Sequence, residues 1–172
     1  MPQALKLQLL LLLAIVANIL TTDSWPAAAT PATEFRATVL SIGDGDTLRV
    51  SCQGLPITIR LACIDAPELA QSPYGQQSRS DLQSRLAKGR EVTILAHTID
   101  RYGRTVAEVI RDINISLVLV EDGQAFAYRQ YLGGCEAKEY LDAEYRASRH
   151  RFGVWQVASS APGTSAGGSA TL

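Results

Sequence analysis

The chain has 172 residues, of which 47% are hydrophobic, and its 16 basic and 17 acidic side chains give a net charge of −1. This length suits one domain with terminal extensions, because domains commonly run to about 100–150 residues. The balanced charge excludes a generally cationic nucleic-acid coat protein, so affinity for a polyanion would have to come from a local patch or a bound cation.

The N-terminus predicts a secretory signal peptide over residues 1–29. A short segment containing Lys6 precedes an apolar run over residues 7–20, and three consecutive alanines at residues 27–29 offer a cleavage site. The run is shorter than the roughly 20 apolar residues of a membrane-spanning helix, although an uncleaved membrane anchor stays the alternative. We therefore expect a secreted or periplasmic protein that contacts a membrane only if this segment is retained.

Composition divides the remaining chain into three parts. Residues 30–34 belong to a Pro/Ala/Thr-rich linker, and residues 157–172 are mainly Ala, Ser, Gly and Thr, which predicts a disordered tail. Between them, residues 35–156 should form the folded domain.

The domain predicts five strands and three helices. Runs rich in apolar and β-branched residues, separated by glycine-containing turns, predict strands over residues 35–42, 47–51, 57–64, 91–96 and 105–111. Helices are predicted over residues 76–88, over a short segment capped by Ser116 that ends at Gly123, and over residues 137–151. This order fits an α+β fold, a five-stranded OB-type β-barrel with three helices.

The three cysteines, Cys52, Cys63 and Cys135, allow at most one internal disulfide, and the sequence does not choose the pair. They form no C-x-x-C motif, and neither His97 nor His150 lies near a cysteine in the sequence. A zinc site is therefore not expected, and both histidines are expected to be ordinary surface residues.

The first chemical motif is the glycine-rich run over residues 43–47, which carries Asp44 and Asp46. Carboxylates in such a turn are suitable ligands for a hard cation such as calcium. An EF-hand is excluded, because the twelfth position counted from Asp44 is Leu55. A simple tight turn is the alternative for this run taken alone.

The second motif places Arg60 inside an apolar strand and Asp65 and Glu68 just after it. A charge in such a strand is costly unless it is paired or faces a site. Strand alternation predicts that Arg60 shares a face with Ala62 and Ile64, close to the following carboxylates. A structural salt bridge from Arg60 to either carboxylate is the alternative.

The third motif is Tyr102-Gly103-Arg104, at the start of a predicted strand. The glycine permits a close turn, the guanidinium can bind a phosphate through two N–H groups, and the aromatic ring can stack on a base or sugar. Alone, this tripeptide is also compatible with an ordinary hairpin.

Together the three motifs resemble the staphylococcal nuclease (thermonuclease) family, in the right order and from about residue 35 to residue 155. The resemblance implies an OB-type barrel with three helices. It also implies calcium-dependent hydrolysis of DNA and RNA that leaves a 3′-phosphate and a 5′-hydroxyl, by a monomer with no obligate protein partner.

The resemblance assigns roles residue by residue. Calcium ligands would be Asp46, Asp65 and the main-chain carbonyl of Ala66, with Asp44 as an acidic neighbour. Glu68 would orient or activate the attacking water, Arg60 and Arg104 would hold the phosphate, and Tyr102 and Tyr128 would line the nucleotide pocket.

Three features depart from the family pattern. The loop after Glu68 is shorter and poorer in lysine, and the cysteines have no counterpart in the best-known member. A second pocket tyrosine, expected two places after Tyr128, is Gln130 here, with Tyr131 displaced by one position.

The alternative function is a non-catalytic OB-type nucleic-acid-binding module. Degenerate binding copies can lose site residues, whereas every carboxylate and arginine of the motifs is present in this chain.

Overall fold

The computed structural model describes residues 33–156. The strands and helices, in chain order, are β1 (Thr33–Ile42), β2 (Thr47–Cys52), β3 (Leu55–Leu61), β4 (Ile64–Asp65), α1 (Tyr74–Arg85), β5 (Glu91–Ile99), β6 (Thr105–Arg111), β7 (Ile113–Asn114), α2 (Ile115–Glu121), β8 (Phe126–Ala127) and α3 (Ala137–His150). Two 3₁₀ helices cover Arg129–Gly134 and Gly153–Gln156. The predicted signal peptide, most of the predicted linker and the predicted tail lie outside the described residues.

The five long strands close into a barrel. Their hydrogen-bonded order is β3-β2-β1-β5-β6, and β3 also pairs with β6 in parallel. All other pairings among these five strands are antiparallel. This parallel contact joins the two ends of the sheet, so the predicted fold class, a five-stranded barrel with three helices, is confirmed. No helix within residues 33–156 is long and apolar enough to span a lipid bilayer.

The barrel encloses a core of branched aliphatic side chains. Alternating residues of the strands point inwards and are fully or almost fully buried: Val39, Leu48, Val50, Ile59, Ile94 and Val109. Leu119 of α2 and Tyr140 of α3 extend the same core outside the barrel. Burying such side chains stabilises the fold by about 1.5–3 kcal/mol each, which gives the site described below a rigid support.

The third strand ends earlier than predicted. It stops at Leu61 instead of Ile64, because Cys63 adopts a left-handed backbone conformation with φ of 65°. The chain turns there, and Ile64–Asp65 pairs with Phe126–Ala127 in a separate small sheet. The prediction that Arg60 shares a strand face with Ala62 and Ile64 is therefore wrong.

Two helix boundaries also differ from the sequence-based expectation. Helix α1 begins at Tyr74 and ends at Arg85, two to three residues before the predicted positions. The cap of α2 is Asn114, whose side chain accepts a hydrogen bond from the Leu117 N–H at 3.3 Å, whereas Ser116 is buried inside the helix. The predicted cap, Ser116, is therefore wrong, and Asn114, two positions earlier, is an equally good capping type.

Candidate active site

The loop that carries Asp46 packs closely against the chain after β4. A Cβ atom on Gly45 would lie 2.2 Å from Ser78 Oγ and 2.7 Å from Ala66 Cβ, so only glycine allows this approach. The Ala66 N–H donates a hydrogen bond to Asp46 Oδ2 at 3.0 Å. The loop between β1 and β2 is thereby joined to the segment that contains Asp65 and Ala66.

Arg60 lies between the two aspartates that the sequence assigned to the metal. Its Nη1 is 3.0 Å from Asp46 Oδ2, and its Nη2 donates to Asp65 Oδ1 at 3.1 Å. Nη1 also donates to the carbonyl oxygens of Leu61 and Ile64 at 3.0 and 3.1 Å. The salt bridge that was the structural alternative is therefore present, and it is located at the predicted metal site itself.

Asp46 is a poorly solvated carboxylate, since only 7% of the residue is exposed. Burial raises the pKa of Asp46 to about 6, against the opposing effects of the Arg60 charge and the Ala66 N–H. The negative charges of Asp44 and Asp65 raise this pKa further. Asp44 is also held in place, because its Oδ1 accepts a hydrogen bond from the Asp46 N–H at 3.1 Å.

These donors suit a hard cation. Asp46, Asp65 and the Ala66 carbonyl are all oxygen ligands, and calcium takes six to eight oxygens in flexible geometry, often including water. The Asp65 side chain is 54% exposed and so remains accessible. Within residues 33–156 only one group of three Asp, Glu, His or Cys side chains brings its ligand atoms close together, and that group contains no carboxylate. The cation would therefore need water or substrate oxygens to complete its shell.

Glu68 lies on the exposed segment that leads into α1. Its main chain is fixed: the Glu68 N–H donates to Gln71 Oε1 at 2.7 Å, and a Cβ on Gly75 would lie 2.0 Å from the Glu68 carbonyl oxygen. The Glu68 carboxylate forms no hydrogen bond or ion pair with any described residue and faces solvent. The structure holds this residue at the end of the predicted ligand segment, but it does not place it in the cleft described next.

Arg104 is oriented by a tight turn. Asp100 Oδ1 accepts hydrogen bonds from the N–H groups of Tyr102 and Arg104, and Gly103 adopts a φ of 78°. Asp100 Oδ2 accepts from Arg104 Nε at 2.7 Å. The two terminal amino groups of Arg104 form no hydrogen bond with a described residue. They are the pair of donors that a phosphate could bind.

A cleft of about 680 Å³ brings the two arginines together. Arg60 pairs with Val106 across the parallel β3–β6 contact, and Val106 follows Arg104 by two positions. Arg60, Asp65, Tyr102, Arg104 and Tyr128 all line this cleft. Five of the nine predicted site residues thus lie around one space, although they come from separate parts of the chain.

Tyr131 belongs to the same cleft and replaces the tyrosine that the family pattern expects at position 130. The rings of Tyr128 and Tyr131 pack edge to face with centroids 4.8 Å apart. Residues 129–134 form a 3₁₀ helix, in which side chains three positions apart eclipse each other. The displacement by one residue therefore still places a second aromatic ring beside Tyr128, and Gln130 is not among the lining residues.

His97 is not the ordinary surface residue that the sequence suggested. Its side chain is 17% exposed, its Nε2 lies 3.3 Å from Glu108 Oε2, and it lines the cleft. Beside it, Cys63 and Cys135 form a disulfide, and Cys52 is free. These contacts join residues far apart in the chain, and for that reason neither spacing nor composition predicted them.

Comparison with known proteins agrees with this geometry. A family model described as staphylococcal nuclease homologue matches residues 58–157. A micrococcal nuclease of Shigella flexneri is 36% identical over 161 residues, which cover 88% of each chain. An uncharacterized endonuclease of Haemophilus influenzae is 40% identical over 119 residues, covering 68% of this chain and 64% of its own. The chain is also similar to Protein ParB of Escherichia coli, at 35% identity over 138 residues, 74% of this chain and 76% of that protein. With the barrel, the carboxylates paired to Arg60 and the arginine-lined cleft already in place, these matches show that the chain belongs to the staphylococcal nuclease family.

Proposed function

We propose that this protein is an exported, calcium-dependent nuclease that hydrolyses phosphodiester bonds of DNA and RNA and leaves 3′-phosphate and 5′-hydroxyl ends. One observation carries the proposal: Arg60 bridges Asp46 and Asp65 and lines the same cleft as Arg104. Membership of a nuclease family supports the reaction type. The calcium requirement, the product ends and the export are the parts that experiment has to test.

Asp46, Asp65 and the Ala66 carbonyl would hold the cation, as their oxygen chemistry favours. When bound, calcium supplies a Lewis acid that neutralises charge on a phosphate oxygen. Arg60, which pairs with both carboxylates, would bind the phosphate through the N–H groups of its guanidinium. The ion pair between Arg60 and Asp46 thus keeps the site assembled before the substrate arrives.

Arg104 would bind the same phosphate through its two terminal amino groups, which have no hydrogen-bond partner among residues 33–156. Planar guanidinium groups match a phosphate bidentately and stabilise the negative charge that grows in the transition state. Asp100 holds Nε and leaves the other edge of the guanidinium open. We assign Asp100 to positioning Arg104.

Glu68 would take a proton from the attacking water, because its solvated carboxylate is available to a water molecule. The water oxygen then forms a bond to phosphorus and the bond from phosphorus to the 5′ oxygen breaks. The leaving 5′ oxygen picks up a proton to give the hydroxyl, and the phosphate stays on the 3′ side. Arg60 and Arg104 offset the extra charge of the pentacovalent state.

The aromatic residues of the cleft support a substrate that is not restricted to one base. Tyr102, Tyr128 and Tyr131 are all at least 36% exposed, so their rings are accessible to a ligand. Stacking of a base on an aromatic ring is tolerant of sequence, since every base has a π face. This favours action on both DNA and RNA.

Export is proposed from the N-terminal pattern of residues 1–29, which lie outside the described part of the structure. The Cys63–Cys135 disulfide supports it. Structural disulfides persist mainly in oxidising compartments such as the periplasm and the extracellular space.

A non-catalytic binding module is the second candidate, and one observation favours it. The two arginines assigned to the phosphate are already paired with carboxylates, Arg60 with Asp46 and Asp65 and Arg104 with Asp100. In a binding module, these ion pairs would be purely structural and the cleft would hold nucleic acid without cutting it.

The test is digestion of single- and double-stranded DNA and RNA by the purified protein with added calcium, followed by analysis of the new ends. Our proposal predicts fragments whose 5′ ends accept a phosphate from a polynucleotide kinase without prior dephosphorylation. Binding without any cleavage would favour the module instead. Fragments with 5′-phosphate ends would support nuclease activity but contradict cleavage of the bond between phosphorus and the 5′ oxygen.

A further inference from the structure

Three side chains with metal-ligating atoms meet beside the cleft. Cys63, His97 and Cys135 place one ligand atom each within 4.8 Å of one another. They come from the turn after β3, from β5 and from the end of the 3₁₀ helix at residues 129–134. Within residues 33–156 this is the one group of three or more His, Cys, Asp or Glu side chains found so close together. The nuclease mechanism uses none of the three.

The histidine is oriented as a ligand would be. Its Nε2 faces Glu108 Oε2 at 3.3 Å, while a Cβ atom on Gly134 would lie 3.0 Å from Nδ1. If Nε2–H donates to Glu108, Nδ1 carries the free lone pair. Nδ1 lies on the side of the ring next to Gly134, the residue before Cys135. A carboxylate behind a histidine in this way is the usual arrangement of metal-binding histidines, because it fixes the tautomer and the ring orientation.

Glu108 is itself held in place. Its Oε1 accepts hydrogen bonds from Asn114 Nδ2 at 2.5 Å and from the Tyr140 hydroxyl at 3.0 Å. Tyr140 is almost completely buried, so this support is part of the core. Hydrogen bonds therefore connect the core, through the Glu108 carboxylate, to the His97 imidazole. An ordinary surface histidine has no such support.

The spacing suits zinc once the disulfide is open. With Zn–S of about 2.3 Å and Zn–N of about 2.0–2.1 Å, tetrahedral geometry puts the ligand atoms about 3.6–3.8 Å apart. Reduction would free the two sulfur atoms to separate to that distance, and the imidazole is already within 4.8 Å of them. Glycine at position 134 leaves space beside the ring.

We propose that the reduced chain binds one Zn²⁺ through Cys63 Sγ, Cys135 Sγ and His97 Nδ1, with the fourth position filled by water from the cleft. A dithiol reductant supplies two electrons and two protons to the disulfide, gives two thiols and becomes a disulfide itself. Zinc binding then releases the two thiol protons. Thiolate and imidazole ligands select zinc over calcium and magnesium, so this site is distinct from the oxygen site at Asp46.

Disulfide and zinc are thus alternative links between the same two segments. In the oxidised chain both sulfur atoms are bonded to each other and the site is closed to metal. In the reduced chain, zinc holds the turn at Cys63 to the 3₁₀ segment that carries Tyr131. This inference does not depend on nuclease activity.

The test uses the purified protein, reduced with a phosphine that is then removed under anaerobic conditions, and titrated with Co²⁺ as a spectroscopic probe. We expect one Co²⁺ per chain, thiolate-to-cobalt charge-transfer absorption, and displacement of the cobalt by Zn²⁺ but not by Ca²⁺. The oxidised protein should show no such absorption. A reduced chain without it would overturn the proposal.

Matched variants separate this site from adventitious binding. His97→Ala and Glu108→Gln should each weaken zinc binding, the latter by about 10–100-fold. His150→Ala and Cys52→Ser should leave it unchanged, because neither residue belongs to the cluster. Equal affinity in His97→Ala and His150→Ala would overturn the assignment.

A second readout covers loss of structure on reduction. If the reduced, metal-free chain unfolds, Zn²⁺ should restore its circular dichroism spectrum, and if it stays folded, Zn²⁺ should raise its melting temperature, since a ligand that binds only the folded state stabilises it. Neither effect should occur in Cys63→Ser. Failure of zinc to refold or stabilise the reduced wild type contradicts the proposal.

Discussion

Arg60 and Asp46 form an ion pair of 3.0 Å in which the side chains are only 15% and 10% exposed. Removing one partner of such a pair leaves the other charge without compensation, which costs about 3–5 kcal/mol when the group is buried. Breaking the pair at Arg60 should therefore destabilise the fold as well as the site. Substitutions at Arg60 and Arg104 should differ for this reason.

Arg104→Lys should raise the activation free energy of turnover by about 3 kcal/mol or more and leave the melting temperature nearly unchanged. Lysine keeps the charge but loses the two-pronged donor geometry, comparable to deleting one preorganised donor. The Arg104 side chain is 31% exposed and its ion pair with Asp100 is local, so its contribution to folding is small. Steady-state kinetics and thermal melting of the same preparation check this.

Arg60→Lys should lower both turnover and melting temperature. Its guanidinium contacts two carboxylates and the carbonyl oxygens of Leu61 and Ile64, and an ammonium group cannot reproduce that set. A large melting loss with unchanged turnover in both lysine variants would remove the arginines from the mechanism and support the binding module.

Glu68→Gln should lower turnover by orders of magnitude without a change in the melting temperature. The carboxylate would accept the proton of the attacking water, and the amide cannot. Because the Glu68 side chain has no partner among residues 33–156, folding should not depend on its charge. The control is Glu139→Gln, which changes an exposed glutamate on α3, away from the cleft. Equal rates for the two variants would exclude Glu68 as the base.

The contribution of Asp46 to the stability of the metal-free protein should fall as the pH rises from about 4 to about 6. The pKa of Asp46 is raised from 3.8 to about 6 in the folded state, so the folded state binds this proton more tightly than the unfolded state. By linkage, this contribution is present below about pH 4 and is lost as the carboxyl ionises. At 1.36 kcal/mol per pKa unit, its upper limit is about 3 kcal/mol.

Urea unfolding of wild type and Asp46→Asn, in chelator and between pH 4 and 7, measures this effect as a difference. The difference isolates Asp46 from other carboxyl groups, such as Glu121, whose pKa is lowered by its hydrogen bond from Arg146 and which acts in the opposite direction. Parallel pH profiles for the two proteins would contradict the prediction.

Because protons and cations compete for Asp46, calcium affinity should also weaken below about pH 6.

Tyr131→Ala should raise KM more than it lowers kcat. Stacking of a base on an aromatic ring contributes about 1–3 kcal/mol, and Tyr131 packs against Tyr128 within the cleft. Gln130→Ala, one position earlier and outside the cleft, is the matched control. A larger KM effect at Gln130 would mean that the ring pair is not part of the substrate site.

The barrel could be predicted from the sequence, and the residues proposed for the site could be selected from it, because the signals of both are local. Alternating strands and short glycine turns defined the fold, and Asp46, Arg60 and Asp65 stand in motifs whose spacing is compact. The parallel β3–β6 contact then brings Arg104 to Arg60. That contact is a consequence of barrel closure and follows once the fold is recognised.

Other features depend on long-range contacts or on single backbone angles. Strand β3 ends at Leu61 because Cys63 adopts a left-handed conformation, which no propensity predicts for a cysteine. Strands β4, β7 and β8 have two residues each, too few for a periodic pattern. His97 meets Cys63 and Cys135 only after folding, and the two cysteines are 72 positions apart.

Calcium-dependent cleavage by wild type and Asp46→Ala, measured in the same assay, tests most directly whether the Arg60-bridged carboxylates form the metal site of a nuclease. Wild-type activity should saturate with calcium, vanish in chelator and not return with magnesium, which demands stricter octahedral geometry. Asp46→Ala should lose activity by orders of magnitude while its circular dichroism shows a folded barrel. Full wild-type activity in chelator, or near-normal activity of Asp46→Ala at saturating calcium, would contradict the assignment.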